Sequence, residues 1–316
     1  MMRIGLIDCD QKNKKNPFPN LPLMKLSAWH KQQGDAVEWY EPLISGHLDK
    51  VYVSKVFSFS SDYEYFIDAD EVVYGGSGFA ISMRGGKEVY EKEKDASLPH
   101  EIEHIYPDYS LYDIVDTAYG FMSRGCPRDC GFCHVSQMQG KQSHKVADLD
   151  EFWCGQKNIV LLDPNISACS EWEDIFGQLI ESKAWVDFSQ GLDIRLMTKD
   201  KIEMLKQIKT KSVHFAWDRY EDKDIVLPKL RSFAEITGWN RRKIVVYVLV
   251  GEKERRVTDE DLERIYTLRP FANPYVMIYD KESLPSGHEL KKLQRWVNNR
   301  FIWEKTPTFE EYNSKT

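Results

Sequence analysis

Strand-like and helix-like patterns alternate along nearly the whole chain. Residues 3–8 hold the continuous apolar run Ile4-Gly5-Leu6-Ile7, the mark of a strand buried on both faces. Pro17, Pro19 and Asn20 then break the chain. Asn20 predicts an N-cap for a helix over residues 21–33, and Gly34 predicts its left-handed end. Apolar stretches at 37–40, 50–56 and 71–74 predict three more strands, the last running into Gly75-Gly76-Ser77-Gly78. Strands alternating with helices predict a parallel sheet, hence a small α/β domain over residues 1–108. Residues 84–103 contain Gly85-Gly86 and a charge run at 91–95, and predict a solvated hairpin or linker.

From about Asp116 the alternation becomes regular. Strands are predicted at 118–122, 159–162, 185–189, 212–216, 244–250 and 275–279. Helices are predicted at 149–154, 171–182, 199–208, 226–237, 259–268 and 287–300. Six strand–helix repeats are too few for a closed eight-stranded barrel and predict a partial (β/α)6 barrel over residues 109–316, with a C-terminal helix and tail. In parallel barrels the reacting groups sit at the carboxyl ends of the strands. The C-terminal run 291–303 interleaves cations with aromatics. It suits either an amphipathic helix packing Leu293, Trp296 and Phe301, or a surface for a macromolecule. Pro307, Phe309 and Tyr312 predict that the tail packs, and with residues 84–103 it is expected to close the barrel's open side.

Composition narrows the class. Of 316 residues, 42% are hydrophobic and 29% charged, as in ordinary globular proteins. The net charge of −7 argues against broad nucleic-acid binding, which needs a basic surface. No apolar run is long enough to span a bilayer. The N-terminus meets Asp8 and Asp10 too early for a signal peptide, so a cytoplasmic location is expected.

The chemistry concentrates in Cys126-Pro127-Arg128-Asp129-Cys130-Gly131-Phe132-Cys133, a C-x3-C-x2-C run directly after the first barrel strand. Three thiolates this close can hold three corners of a cubic iron–sulfur cluster and leave the fourth iron open for a substrate atom. Other readings of the residues remain: a haem-attachment C-x-x-C-H at Cys130–His134, a zinc site using the three thiolates with His134, or incidental buried thiols. Cys9, Cys154 and Cys169 stand apart as single structural thiols. His100-Glu101-x-Glu103-His104 has metal-ligand composition but reads better as a helix start or loop.

The cysteine run, the aromatic Phe132 before its last cysteine and the six-unit barrel resemble the radical S-adenosylmethionine (SAM) superfamily. Arg124-Gly125-Cys126-Pro127 resembles the branch that carries an N-terminal α/β domain like a cobalamin-binding one. The resemblance implies a [4Fe–4S] cluster on Cys126, Cys130 and Cys133, whose open iron chelates SAM. It implies reductive cleavage of SAM to a 5′-deoxyadenosyl radical that abstracts hydrogen from an unidentified substrate, with an external flavodoxin- or ferredoxin-like electron donor. An RNA- or peptide-modifying methyl or methylthio transferase and a non-catalytic iron–sulfur redox protein are the alternatives.

SAM contacts carried over from the family fall on Phe132 beside the cluster, on Asp163 or Asn165 after strand two, on Gln190, Asp193 and Arg195 after strand three, and on Asp218 and Gly251 after strands four and five. An Asp193–Arg195 ion pair is an equal alternative for those two residues. Cobalamin domains of the branch bear D-x-H-x-x-G after their first strand. Asp8-Cys9-Asp10-Gln11-Lys12 lacks its histidine and glycine, so the N-terminal domain reads as reduced and cobalamin as unlikely.

Overall fold

The computed structural model describes residues 1–11, 18–84 and 87–313; Lys12, Pro17, Gly85 and Gly86, singled out above, lie outside them. The chain divides into two compact units, Met1–Ile159 and Val160–Thr316.

The first unit opens with β1 (Arg3–Asp8), α1 (Leu21–Gln32), β2 (Ala36–Trp39), β3 (Leu48–Ser54) and β4 (Ala69–Gly75). These strands form one parallel sheet in the order β2-β1-β3-β4. Asn20 caps α1 by accepting from the Leu23 N–H at 3.2 Å, and Gly34 adopts φ +83°, so both predicted helix signals operate. Ile4 and Leu6 pack with Leu23, Leu26 and Ile102, while Ile7 packs with Leu48, Val51 and Val53. Residues of both parities on β1 are thus buried, which is why its apolar run is unbroken. The remainder of the unit comprises α2 (Ser77–Ala80), the hairpin β5 (Ile81–Arg84) and β6 (Lys87–Tyr90), α3 (His100–Glu103), β7 (Thr117–Gly120), β8 (Ser123–Arg124), α4 (Val135–Gln139) and β9 (His144–Lys145). The helix predicted at 149–154 is only a 3₁₀ turn, Leu149–Glu151, closed by a capping box between Asp148 and Glu151.

The second unit begins within β10 (Asn158–Leu161) and continues through α5 (Trp172–Ser182), β11 (Trp185–Phe188), α6 (Lys199–Gln207), β12 (Val213–Ala216), α7 (Lys223–Thr237), β13 (Ile244–Val250), α8 (Asp259–Leu268), β14 (Asn273–Ile278), α9 (Glu289–Asn298), α10 (Arg300–Lys305) and α11 (Phe309–Asn313). Strands β12, β13 and β14 pair in parallel, while β11 pairs with β10 and touches the segment before β12 through a single Trp185–Lys209 bridge. The helices cover one side: Phe188 meets Phe176 of α5, and Phe215 meets Phe233 of α7 with ring centroids 4.8 Å apart. Residues of the other parity in β11–β14 are half-buried or exposed.

On α9, Leu293 and Trp296 are buried, but Phe301 in α10 is exposed, so the packing face is narrower than predicted. The tail does pack: Phe309 and Tyr312 are buried, and Phe309 lies 5.7 Å from the Trp296 ring of α9. It docks on the outer helices α8 and α9 rather than at strand ends, since the Tyr266 hydroxyl accepts from the Phe309 N–H and Arg269 donates to the Pro307 carbonyl.

Candidate functional site

The cysteine loop is tied at its base by the antiparallel pair β8–β9, in which Ser123 faces Lys145 and Arg124 faces His144. Between them the chain turns at Gly125, φ +89°, where an added Cβ would lie 2.1 Å from the Gln142 carbonyl oxygen. Only glycine fits there. The Cys126 N–H donates to the Gly140 carbonyl at 3.0 Å, and the Cys133 N–H to the Cys130 carbonyl at 3.0 Å. Cys126, Cys130 and Cys133 are each half-buried, as is Phe132. Arg124 stacks over the Phe121 ring at 4.0 Å and donates to the Glu103 carboxylate at 2.8 Å. Burial raises Glu103, but Lys25 and Arg124 outweigh it and hold the carboxyl below its ordinary range. An ionised Glu103 therefore anchors the residue two places before the first cysteine, a link that no sequence motif announces.

Just after the last cysteine, His134 Nδ1 and Ser136 Oγ are buried without a hydrogen-bond partner among the described residues. Buried polar groups are ordinarily satisfied, so these two atoms are open to bond a group held beside the loop. Among the described residues no three His, Cys, Asp or Glu side chains converge as around one metal ion. A cubic cluster instead takes one thiolate at each of three corners, and this donor set suits it. His104 of the H-E-x-E-H run pairs with Glu151 at 2.7 Å, and Glu103 with Arg124, so that run is spent on ion pairs.

The second unit carries the other predicted residues. Asp163 and Asn165 follow β10, both buried, and lead into the 3₁₀ turn Ile166–Ala168. Gln190 is exposed in the turn after β11. Asp193 accepts from Arg195 Nε at 2.8 Å, and Arg195 also donates to Asp222 at 3.1 Å. The ion pair weighed for Asp193 and Arg195 is therefore present. Asp218 follows β12; burial pushes its carboxyl up to about 6, although Arg264 and Arg195 pull the other way. Gly251 sits at φ +81° with its would-be Cβ 2.9 Å from Leu290 Cδ1. The structure thus groups Asp193, Arg195 and Asp218 electrostatically.

Sequence reasoning missed Arg264. Only 4% exposed, its guanidinium donates to the carbonyls of Trp217 (2.8 Å), Asp218 (2.6 Å) and Leu249 (2.9 Å) and to Asp261 at 2.6 Å. It ties the carboxyl ends of β12 and β13 together. An arginine on the buried face of an amphipathic helix was the available signal.

The first unit also holds a cavity of about 490 Å³ at the carboxyl ends of β3 and β4, lined by Lys55, Asp62, Tyr74, Gly78, Phe79 and Lys94 among others and by none of the cysteines. Lys55 is buried, stacks over Phe79 and pairs with Asp62. Ligands of open parallel sheets bind at this carboxyl edge. Gly76, φ +99°, is required because a Cβ there would reach the Lys55 carbonyl oxygen at 2.3 Å.

No protein-family model matches the chain, and no curated protein matches its sequence. Among solved structures it is similar to the radical SAM methyltransferase TsrM from Kitasatospora setae, with a TM-score of 0.55 and 11% identity, over 87% of this chain and 74% of that one. The chain therefore has the α/β fold expected, a partial β/α barrel of the kind seen in that enzyme preceded by a small Rossmann-like domain. TsrM was solved with cobalamin and a [4Fe–4S] cluster bound. That overturns the expectation that cobalamin is unlikely on this framework. The expectation rested on a missing histidine and glycine after β1, and a fold kept at 11% identity need not keep such a motif.

Proposed function

We propose that this chain is a radical SAM enzyme that cleaves SAM reductively and uses the resulting 5′-deoxyadenosyl radical on a substrate not yet identified. The observation that supports this most is the three-cysteine loop on a radical SAM methyltransferase fold. When bound, a [4Fe–4S] cluster supplies the electron that splits the C5′–S bond of SAM. Cys126, Cys130 and Cys133 would hold three of its irons. Gly125 sets the loop's entry angle, and the Glu103–Arg124 pair fixes the strand before it. His134 Nδ1 and Ser136 Oγ offer polar atoms for groups bound beside the cysteines. In the second unit, Asp163, Asn165 and Asp218 present oxygen at strand ends for the ammonium and ribose of SAM. The Asp193–Arg195–Asp222 network holds one strand-end turn in shape.

The test is anaerobic reconstitution with iron and sulfide, followed by dithionite and SAM. About four irons per chain and production of 5′-deoxyadenosine support the reading. Equal iron in a Cys126/Cys130/Cys133→Ala variant sinks it.

A second reading, methyl transfer with cobalamin on the first unit, is favoured by the TsrM likeness and by the cavity at the carboxyl edge of β3 and β4. Purification with hydroxocobalamin and a visible spectrum decides it. A stoichiometric corrinoid signal lost in a Gly76→Val variant supports it, and a colourless protein rejects it.

A further inference from the structure

In the first unit the sheet β2-β1-β3-β4 is covered differently on its two faces. One face carries α1 and α3, whose Leu23, Leu26 and Ile102 pack on Ile4 and Leu6. The other, built on Ile7, Leu48, Val51 and Val53, meets no helix longer than the four-residue α2 among the described residues. Residues 40–47 and 55–68 cover it instead, through Tyr40, Tyr63 and Ile67. Parallel sheets ordinarily carry helices on both faces. Here a layer of loop stands where one helical layer would be.

The outward side of that loop layer is apolar. Leu43, Ile44, Tyr65 and Phe66 are 99%, 84%, 65% and 83% exposed. Their backbone is braced. The Tyr40 hydroxyl accepts from the Asp68 N–H at 2.8 Å and donates to the Phe66 carbonyl at 3.4 Å, which brings the two connections together. The Ile44 and Ser45 N–H groups both donate to the Glu41 carbonyl at 2.9 Å, and Arg3 donates to the Ser45 carbonyl at 2.8 Å. Large apolar side chains on braced turns need little ordering when they are covered. An exposed apolar patch with a polar rim is the mark of an interaction site.

The rim is acidic. Glu41, Glu64, Asp68 and Asp70 are all exposed. His47 lies between Asp68 at 2.8 Å and Asp70 at 3.2 Å, so even protonated it offsets one of those two charges. Arg3, beside the 41–45 turn, is paired with Glu38 at 3.1 Å. Among the described residues from 40 to 70 no lysine or arginine is exposed: Lys50 is half-buried against Glu71, and Lys55 is buried against Asp62. Nucleic acid and anionic lipid are repelled by such a rim. A second copy laid on the same patch would set carboxylate against carboxylate. The complementary occupant carries cations around an apolar centre.

We infer that this face docks a basic, apolar segment of another polypeptide. Aliphatic side chains of the segment cover Leu43, Ile44 and Phe66, and its lysines or arginines meet Glu41 and Glu64. The inference goes beyond the radical SAM reading and does not rest on it: docking needs neither cluster nor reductant.

The experiment uses the full chain and two fluorescein-labelled heptapeptides, one alternating lysine with leucine and one alternating glutamate with leucine, read by fluorescence anisotropy. The basic peptide should bind at least about tenfold more tightly than the acidic one. The chain's net charge of −7 draws any cation, so the apolar contact is tested separately. Leu43→Ser with Ile44→Ser, at positions too exposed for folding to be at stake, should weaken the basic peptide about tenfold. Phe301→Ser, at a side chain 78% exposed in the second unit, should leave its affinity unchanged. Glu41→Lys with Glu64→Lys should reverse the preference between the two peptides. The inference is overturned if the acidic peptide binds as well as the basic one, or if neither binds up to about 1 mM. It is overturned equally if the paired serine substitutions leave the basic peptide's affinity unchanged, or if Phe301→Ser weakens it as much as they do. Sedimentation velocity closes the remaining route: a chain that self-associates until Leu43→Ser and Ile44→Ser release it has a second copy as the occupant, which also overturns the inference.

Discussion

Replacing Asp218 by Asn should make the protein more stable at neutral pH and change little in acid. Asp218 is largely enclosed at the end of β12, and burial lifts its carboxyl from 3.8 to about 6 despite Arg264 and Arg195. The folded state therefore holds this proton more tightly than the unfolded chain does. Below the unfolded value both states are protonated and the site costs nothing. As pH rises towards the folded value the unfolded state ionises first, and stability falls by about 1.4 kcal/mol per unit of separation. With roughly two units of separation the penalty reaches about 3 kcal/mol above pH 6 and then stays constant. Asn has the same shape and no charge to desolvate, so it removes the penalty. Urea unfolding followed by tryptophan fluorescence at about pH 4 and about pH 7.5 measures it. The variant should gain about 2–3 kcal/mol at the higher pH and under about 0.5 kcal/mol at the lower. A gap that is the same at both pH values refutes the reasoning, because it could not come from ionisation at this site.

Other outcomes follow from the same contacts. Arg264→Met leaves three strand-end carbonyls and the buried Asp261 carboxylate without their donor, and should cost about 3–5 kcal/mol in thermal or urea unfolding. Gly125→Ala forces a Cβ to 2.1 Å from the Gln142 oxygen and should reduce iron loading while the far-ultraviolet circular dichroism stays native. Deleting residues after Lys305 removes Phe309 and Tyr312 from α9, and should lower stability by about 3–5 kcal/mol without raising abortive SAM cleavage.

The strands and helices were legible wherever one period ran long enough. Residues 244–250 and 259–268 predicted β13 and α8 to the residue, because an unbroken apolar run rich in valine and a Thr258 cap leave few alternatives. The 149–154 segment failed because Asp148 and Glu151 close a capping box on a single turn, and local capping cannot be told from a helix start. The cysteine loop was legible because three cysteines fall within eight positions. The Glu103–Arg124 link and the Arg264 clamp were not, since each joins residues whose pairing only the folded chain brings about. The unequal burial of the two faces of β11–β14 was not legible for a related reason. Apolar and aromatic residues look alike in a strand whether or not a helix covers them, and Trp185, Tyr247 and Tyr275 satisfied the apolar pattern while remaining partly open. Cobalamin was misjudged because the sequence was read through one short motif, whereas a solved structure of this fold holds the cofactor at 11% identity.

The central claim is that Cys126, Cys130 and Cys133 hold a cluster that cleaves SAM. It is tested most directly by incubating the anaerobically reconstituted protein with dithionite and SAM and quantifying 5′-deoxyadenosine, beside the triple Cys→Ala variant. The account predicts a steady yield from the wild-type chain and none above background from the variant, whose circular dichroism should remain native. A wild-type protein that carries its full complement of iron yet forms no 5′-deoxyadenosine, or a variant that forms as much as the wild type, would contradict it.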